Sequence, residues 1–457
     1  MFPEARGFER SFNFKHALVR DAAYESLLLM RSREWHGRVG LALEQRFGDI
    51  AAKEPELLAY HFGKAGQLSL ACDYRMRAGN QAVSRSTYVE AIAHFTAGLK
   101  LAETMPPQSG LRRQLEFWLK LGSALFVAQG LQSIEAETAY TRAAEIGEEL
   151  GDGPASFQAK WGLWINANLR RKTASARDRA NELVSLARQS SDRELLLEAY
   201  HCQLSTAHYR GDVRGVLEGS RHAISLYDVT QHRHLAHAFG GHDPCVCAHA
   251  QCGNAWQLSG EGQQARQHFT QAIALAEMID HPNSLAQGLH STGMGHQLGG
   301  DREAVYKAAH RAAALADRFG LPPWRASSLF LVGWATATGA AAADAVRLID
   351  TEIANATAAG PLPQYYLGLA AEVLLAAGRP ADALGHLDRA IAGIDEAGVG
   401  IYLPEIYRLR GACLLALDRG NKTEAQSAFA SASGIAKRQG AVIFERRAEA
   451  SLSELPI

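Results

Sequence analysis

The sequence is short of proline, with 14 in 457 residues, and of cysteine, with six. Few prolines mean few obligatory breaks in helices, and frequent alanine favours helix throughout. The cysteines, Cys72, Cys202, Cys245, Cys247, Cys252 and Cys413, are too sparse for a disulfide-stapled fold. An excess of one charge is also missing, since 47 Lys and Arg face 48 Asp and Glu for a formal net charge of -1. That balance excludes the basic footprint of a nucleic-acid binder. Glu4, Arg6, Glu9, Arg10 and Lys15 leave no apolar stretch for a secretory signal, so a cytoplasmic location is expected. The uncharged run Ala326 to Ala343 contains Ser, Thr and Gly, and reads as a buried helix with a turn near Gly339 rather than a membrane span. No membrane partner is expected.

Catalytic motifs are missing too. No G-x-x-x-x-G-K-[ST] phosphate loop occurs, because Gly420-Asn421-Lys422-Thr423 lacks the Gly-Lys step. No Ser, His and Asp fall in an elbow or loop context that suggests nucleophilic catalysis. Asp21 and Glu25 share a helix face and read as solvated. A non-enzyme is expected, with no cofactor.

What is present is a repeat. Small residues fall at 79, 122, 162, 205, 253, 293, 333, 371 and 411, in steps of mostly about 40 residues with one stretched step of 48, from 205 to 253. This exceeds the tetratricopeptide length of about 34 and overlaps the HEAT range of about 40–47, so the residue pattern must decide. The pattern is a first helix with a small residue at its crossing, as in Trp118, Leu121, Gly122 and Leu125. A second helix then reads small-large-small, as in Ala136-Tyr140-Ala143, Ala265-Phe269-Ala272 and Ala383-Leu387-Ala390. A Gly or Ala at the crossing lets two helices approach closely, and an aromatic fills the space left beside it. HEAT repeats do not predict these triplets. The fold class is therefore all-α, a right-handed tetratricopeptide-like (TPR) helical-hairpin solenoid with a period of about 40 residues. Nine to ten helix pairs would offer a long concave face. A final helix over 441–455, with Glu445, Arg446, Arg447 and Glu449 on a wet face, reads as a cap.

The expected organisation is a boundary segment at 1–50 (a short strand at 12–16 plus two helices), a first run of repeats at 51–240, and a second run with its cap at 241–457. The strand has no visible partner, which suggests the end of an upstream domain. On that reading residues before about Arg10 lack order, and Phe12 and Phe14 are partly exposed. A gene fragment without independent activity is a further reading.

The stretch Phe12-x-Phe14-x-His16-Ala17-Leu18-Val19-Arg20-Asp21-Ala22-Ala23-Tyr24-Glu25-Ser26-Leu27 resembles a boundary in large bacterial signalling proteins. There an AAA/STAND-type ATPase, often preceded by a class III adenylate/guanylate cyclase, passes into a tetratricopeptide arm. Gly240-Gly241-His242-Asp243-Pro244-x-Val246-Cys247, Glu405-Ile406-Tyr407-Arg408-Leu409-Arg410-Gly411 and Gln439-Gly440-Ala441 are similar to that arm. The resemblance implies a regulatory scaffold whose partner is an ATPase or cyclase module, a peptide, or a small effector. No ATPase or cyclase motif lies in this sequence.

One cluster stands apart: His232, His234, His237, His242, Cys245, Cys247, His249 and Cys252, all in the stretched step, where an extra loop is expected to protrude. On the helix starting near Pro244, Cys245, His249 and Cys252 share a face through i+4 and i+7 spacing. With His242 as a fourth ligand they could hold zinc or copper(I), and so make a metal- or redox-responsive sensor. No Cys-x-x-Cys supports this, and cysteine is an ordinary small residue on buried helix faces. His16 reads as a helix-start residue. Trp161 with Trp164, and Trp324 with Trp334, read as core or groove wall.

Overall fold

The computed structural model describes residues 2–6, 9–13, 16, 24, 28–85, 87–129, 133–170, 172–239, 241–359, 363–394 and 400–455. Its contacts group into two compact units, Met1–Ala159 and Lys160–Ile457.

The first unit opens on a hairpin. Strand β1 (Phe2–Arg6) pairs antiparallel with β2 (Glu9–Asn13), in a register from Phe2↔Asn13 to Arg6↔Glu9. This corrects the expected lone strand at 12–16, which lies earlier and has a partner. The partner segment FPEAR lacks the apolar alternation by which a strand is recognised. The Phe12 side chain, and all of Phe14, Asp21 and Glu25, lie outside the described residues. Beyond the hairpin the described chain is helical. Helices α1 (Leu29–Arg46), α2 (Gly48–Lys53) and α3 (Pro55–Lys64) lead into the repeats. The first two pairs are α4 (Leu68–Ser84) with α5 (Tyr88–Ala102), and α6 (Pro107–Gln129) with α7 (Ile134–Leu150). The core of this unit runs from Leu58 and Phe62 through Phe95 and Phe117 to Leu125 and Ala136, all buried.

Helix α8 (Gly153–Leu169) contains the division between the units. Then follow α9 (Thr173–Ser190), α10 (Arg193–Arg210) and α11 (Val213–Leu226). Two single-turn helices, α12 (Val229–His232) and α13 (Leu235–Ala238), fill the stretched step. His232, Leu235 and Ala236 in this insertion are buried, so it folds down onto its neighbours and does not protrude as expected. Regular pairs resume with α14 (Pro244–Leu258) and α15 (Gly262–Ile279), joined through Gly260 at φ 85°. The rest are α16 (Pro282–Gly299) with α17 (Arg302–Phe319), α18 (Pro322–Thr336) with α19 (Ala342–Ala359), α20 (Gln364–Ala376) with α21 (Pro380–Ala392), and α22 (Leu403–Leu417) with α23 (Lys422–Gln439). Helix α24 (Val442–Ser453) closes the series. Among the described residues this makes nine helix pairs, the TPR-like all-α fold read from the repeat. The uncharged run at 326–343 is α18 plus a 3-10 turn at Gly339–Ala341, and no described helix is long and apolar enough to cross a membrane.

The glycine at the crossing has a measurable cause. A Cβ added at Gly253 on α14 would sit 2.3 Å from the Phe269 ring of α15. A Cβ at Gly295, on the first helix of the next pair, would sit 2.1 Å from the same ring. One aromatic is thus held between its own pair and the next, and only hydrogen atoms face it from both sides. Gly79 with Phe95 and Gly411 with Phe429 repeat the relation at 2.2 and 2.5 Å.

The second unit also returns on itself. Helix α24 buries Phe444 and Ala448 against the last pair and reaches α14 as well. Arg447 Nη2 donates to the Leu298 carbonyl at 2.8 Å, and its guanidinium lies 3.6 Å from Glu405. Ile401 N–H donates to the Tyr209 carbonyl at 3.3 Å, and Gln439 holds the Gly400 carbonyl at 2.8 Å. Arg447 was expected on a wet face. Its partners lie far off in sequence, where a local pattern cannot register them.

Gly295→Ala is expected to destabilise by about 1–3 kcal/mol through overpacking. Gly385→Ala, in mid-α21 with open space around it, is expected to stabilise by up to about 1 kcal/mol through helix propensity alone. Denaturation midpoints check the pair; equal shifts of the same sign would remove the close-contact account.

Candidate functional site

Helix α10 is buried nearly all round, so it carries polar groups into the interior. Glu198, His201, Cys202 and Ser205 recur at i, i+3, i+4 and i+7 on one face, and all are buried. The neighbouring α8 brings Trp164, whose Nε1 donates to Thr206 Oγ1 at 2.8 Å. Trp161 and Trp164 pack edge to face at 5.5 Å, as core residues.

The segment before α14 is fastened at several points. Asp243, fully buried, caps α14 by accepting from the backbone N–H of Cys245 and Val246, each at 2.9 Å. Tyr227 donates its hydroxyl to the same carboxyl at 2.7 Å. Asp243 N–H donates to Ser284 Oγ at 2.8 Å, and the Asn283 amide holds the Gly241 carbonyl. These bonds fix His242 from both sides along the chain.

His242 Nε2 then lies 3.2 Å from His201 Nε2, with the rings perpendicular. On its other side, His201 Nδ1 lies 3.2 Å from Glu198 Oε2. The Cys247 thiol joins the two imidazoles, so that one donor atom from each residue lies within 4.8 Å of the others. Around it, Ser205 Oγ is 3.8 Å from Cys247 Sγ and accepts from Gln251 Nε2 at 3.4 Å. Glu198 Oε1, Gln251 Oε1 and Gln287 Oε1 are buried without a hydrogen-bond partner. Burial pushes the Glu198 carboxyl well above the carboxylate range, helped by Asp243 and opposed by the Trp161 indole. Burial pushes the His201 imidazole down to about 4 and the Cys247 thiol up to about 12.

The residues expected from sequence therefore divide. His242 meets His201 and Cys247. His249 Nδ1 lies 3.0 Å from His268 Nδ1, and Cys252 Sγ 3.6 Å from His268 Nε2, so this pair faces α15. Cys245 is buried beside Asp243. His232 Nδ1 accepts from the Asp228 N–H at 2.8 Å, His234 pairs with Glu194 at 3.3 Å, and the His237 side chain lies outside the described residues. His201 and His268 fall outside the 232–252 window and carried no sequence signal.

A second feature crosses the first helices of later pairs. Trp324 (α18) and Tyr366 (α20) flank His290 (α16), at ring distances of 5.7 and 6.3 Å. The Tyr366 hydroxyl is 3.1 Å from His290 Nε2, and Trp324 Nε1 donates to Asn283 Oδ1 at 2.5 Å. Trp324 and Tyr366 are both partly exposed. Within the strip His290 Nδ1, and one turn beyond Trp324 on α18 Ser328 Oγ, are buried without partners.

Comparison with known proteins gives similarity without a named family. No protein-family profile matches the chain. An uncharacterized protein of Rhizobium meliloti (strain 1021) is 27% identical over 453 residues, covering 98% of this chain and 44% of that protein. The chain thus spans less than half the length of this curated relative. Among solved structures, a Rap protein complexed with competence and sporulation factor is similar at 11% identity and a TM-score of 0.46, over 84% of this chain and 98% of that one. Aspartyl phosphate phosphatase F of Bacillus subtilis is similar at 14% identity and a TM-score of 0.47, over 81% and 95%. None of these proteins carries a name that mentions a cyclase or an AAA/STAND-type ATPase, so that context rests on the residue motifs alone.

His208 and His290 are buried, and burial lowers each to about 4. Unfolded imidazoles protonate near about 6.5, so the stability held by these neutral rings is complete above that pH and is lost as pH falls toward 4. His290→Gln is expected to remove up to about 1.4 kcal/mol per pH unit from the pH dependence of unfolding free energy between pH 6 and 5. Parallel denaturant titrations of the two proteins check this; identical slopes would refute it.

Proposed function

We propose that the chain is a non-catalytic binding and regulatory arm that takes a segment of a partner protein on the first helices of its second unit. The observation that carries this reading is the strip formed by His290, Trp324 and Tyr366. Partly exposed aromatics with a polar edge give large contact area at low entropic cost, which suits them to anchor a partner. The unpartnered His290 Nδ1 and, one helical turn from Trp324, Ser328 Oγ supply hydrogen-bonding groups at that anchor. Buried polar groups in folded proteins are normally paired, so a peptide backbone entering the strip, with small side-chain rotations, would complete them.

The partner we favour is an ATPase- or cyclase-bearing polypeptide. Support comes from the sequence motifs at the N-terminal boundary and from a relative more than twice as long as the matched segment. An arm on such a protein restrains its neighbour by binding it, and needs no chemistry of its own.

The test is a binding assay between this chain and the part of the Rhizobium meliloti relative outside the matched segment, produced as a separate polypeptide. A complex is expected, and the double variant Trp324→Ala/Tyr366→Ala should weaken it about tenfold or more, as loss of a central aromatic anchor does. A complex indifferent to both substitutions would move the interface elsewhere. No complex with the unaltered chain would count against this partner.

A further inference from the structure

Apart from the partner strip, the densest cluster of metal-ligating atoms in the described residues is that around His201. Two explanations compete for it. A hydrogen bond between imidazoles accounts for the 3.2 Å between His201 Nε2 and His242 Nε2. It does not account for the Cys247 thiol converging on the same pair, nor for a carboxyl placed behind His201.

We propose that His201 Nε2, His242 Nε2 and Cys247 Sγ form a binding site for a thiophilic divalent cation of the zinc class, with Glu198 as the positioning residue behind His201. Geometry agrees with the chemistry. Zinc–nitrogen bonds of about 2.0–2.1 Å at tetrahedral angles set two ligand nitrogens about 3.4 Å apart, and nitrogen and thiolate sulfur about 3.6 Å apart. The two Nε2 atoms here are 3.2 Å apart, and the thiol lies within 4.8 Å of a ring nitrogen of each histidine. Binding requires the Cys247 sulfur to close any remaining gap to about 3.6 Å. Ligating histidines usually hand their second nitrogen to a carboxylate or carbonyl, which fixes the ring and its tautomer. Glu198 Oε2 stands 3.2 Å from His201 Nδ1 and meets that requirement, one helical turn away on α10.

The ligands arrive on rigid supports, as a preorganised site requires. His201 is on α10 and Cys247 is on α14, each buried. His242 rides on the segment fastened by Asp243, Ser284 and Asn283. Two imidazoles and one thiolate leave a fourth tetrahedral position, the arrangement of sites that retain an exchangeable water or small ligand. The unpartnered Gln251 and Gln287 carbonyl oxygens lie in the same interior. A cation here would tie α10 to α14 across the stretched step, joining the repeats on either side of the insertion. This inference does not depend on the partner strip or its occupant.

The experiment is a cobalt(II) titration of the full chain, purified without a histidine tag. One equivalent is expected to bind, with tetrahedral d–d absorption and a thiolate-to-cobalt charge-transfer band, both displaced by zinc. Cys247→Ser should abolish the charge-transfer band, whereas Cys245→Ser and Cys252→Ser should keep it. Glu198→Gln should weaken binding about 10- to 100-fold while leaving the band in place. His242→Ala, at a partly exposed position, covers the case in which Cys247→Ser fails to fold, and should also abolish stoichiometric binding. Absence of cobalt binding by folded protein, or a band that survives Cys247→Ser or His242→Ala, would overturn the proposal.

Discussion

The contact on which the rest depends is an aromatic ring pressed against bare helix backbone. Phe269 meets Gly253 on one side and Gly295 on the other, both closer than any side chain would permit. That contact fixes how near the two helices of a pair can come, and how near the next pair can lie. Ring burial provides about 1.5–3 kcal/mol, and the absent Cβ is the condition for it. In the pair whose second helix carries the smaller Leu387, the first helix has Ala371 at the repeat position, and both are fully buried.

This is why so much of the fold was legible in the sequence. Gly253, Ala265, Phe269 and Ala272 are neighbours along two short helices, and repeats of the same spacing expose the same demand. Chain segments that answer to distant partners were not legible in this way. The β1 segment carries Pro3 and Glu4, with no alternation to mark it as a strand. The stretched step reads as a protruding loop, yet Leu235 and Ala236 turn inward once a neighbouring surface exists to receive them.

The candidate site divides along the same line. His242 and Cys247 belonged to a visible cluster, but helical spacing grouped Cys245, His249 and Cys252 because it sees only one helix. The structure sets Cys247 toward α10 and sends His249 and Cys252 toward His268 on α15. His201 sits 41 residues before His242, at the step of about one repeat. Corresponding positions of successive repeats become lateral neighbours when the units stack, so the period that reveals the fold is also the offset at which functional partners should be sought.

The return of α24 onto the earlier repeats changes the kind of polymer the second unit is. An open array behaves as a one-dimensional chain whose links form and fail with their immediate neighbours. The bond from Arg447 to Leu298 spans 149 residues, and that from Gln297 to Tyr402 spans 105. Such closures add loop entropy that must be met before they stabilise anything, which slows folding and sharpens its cooperativity. They also set an order of events during synthesis. The surfaces of α14 and α16 that receive α24 leave the ribosome well before it does, and stay uncovered until Val442–Ser453 has emerged.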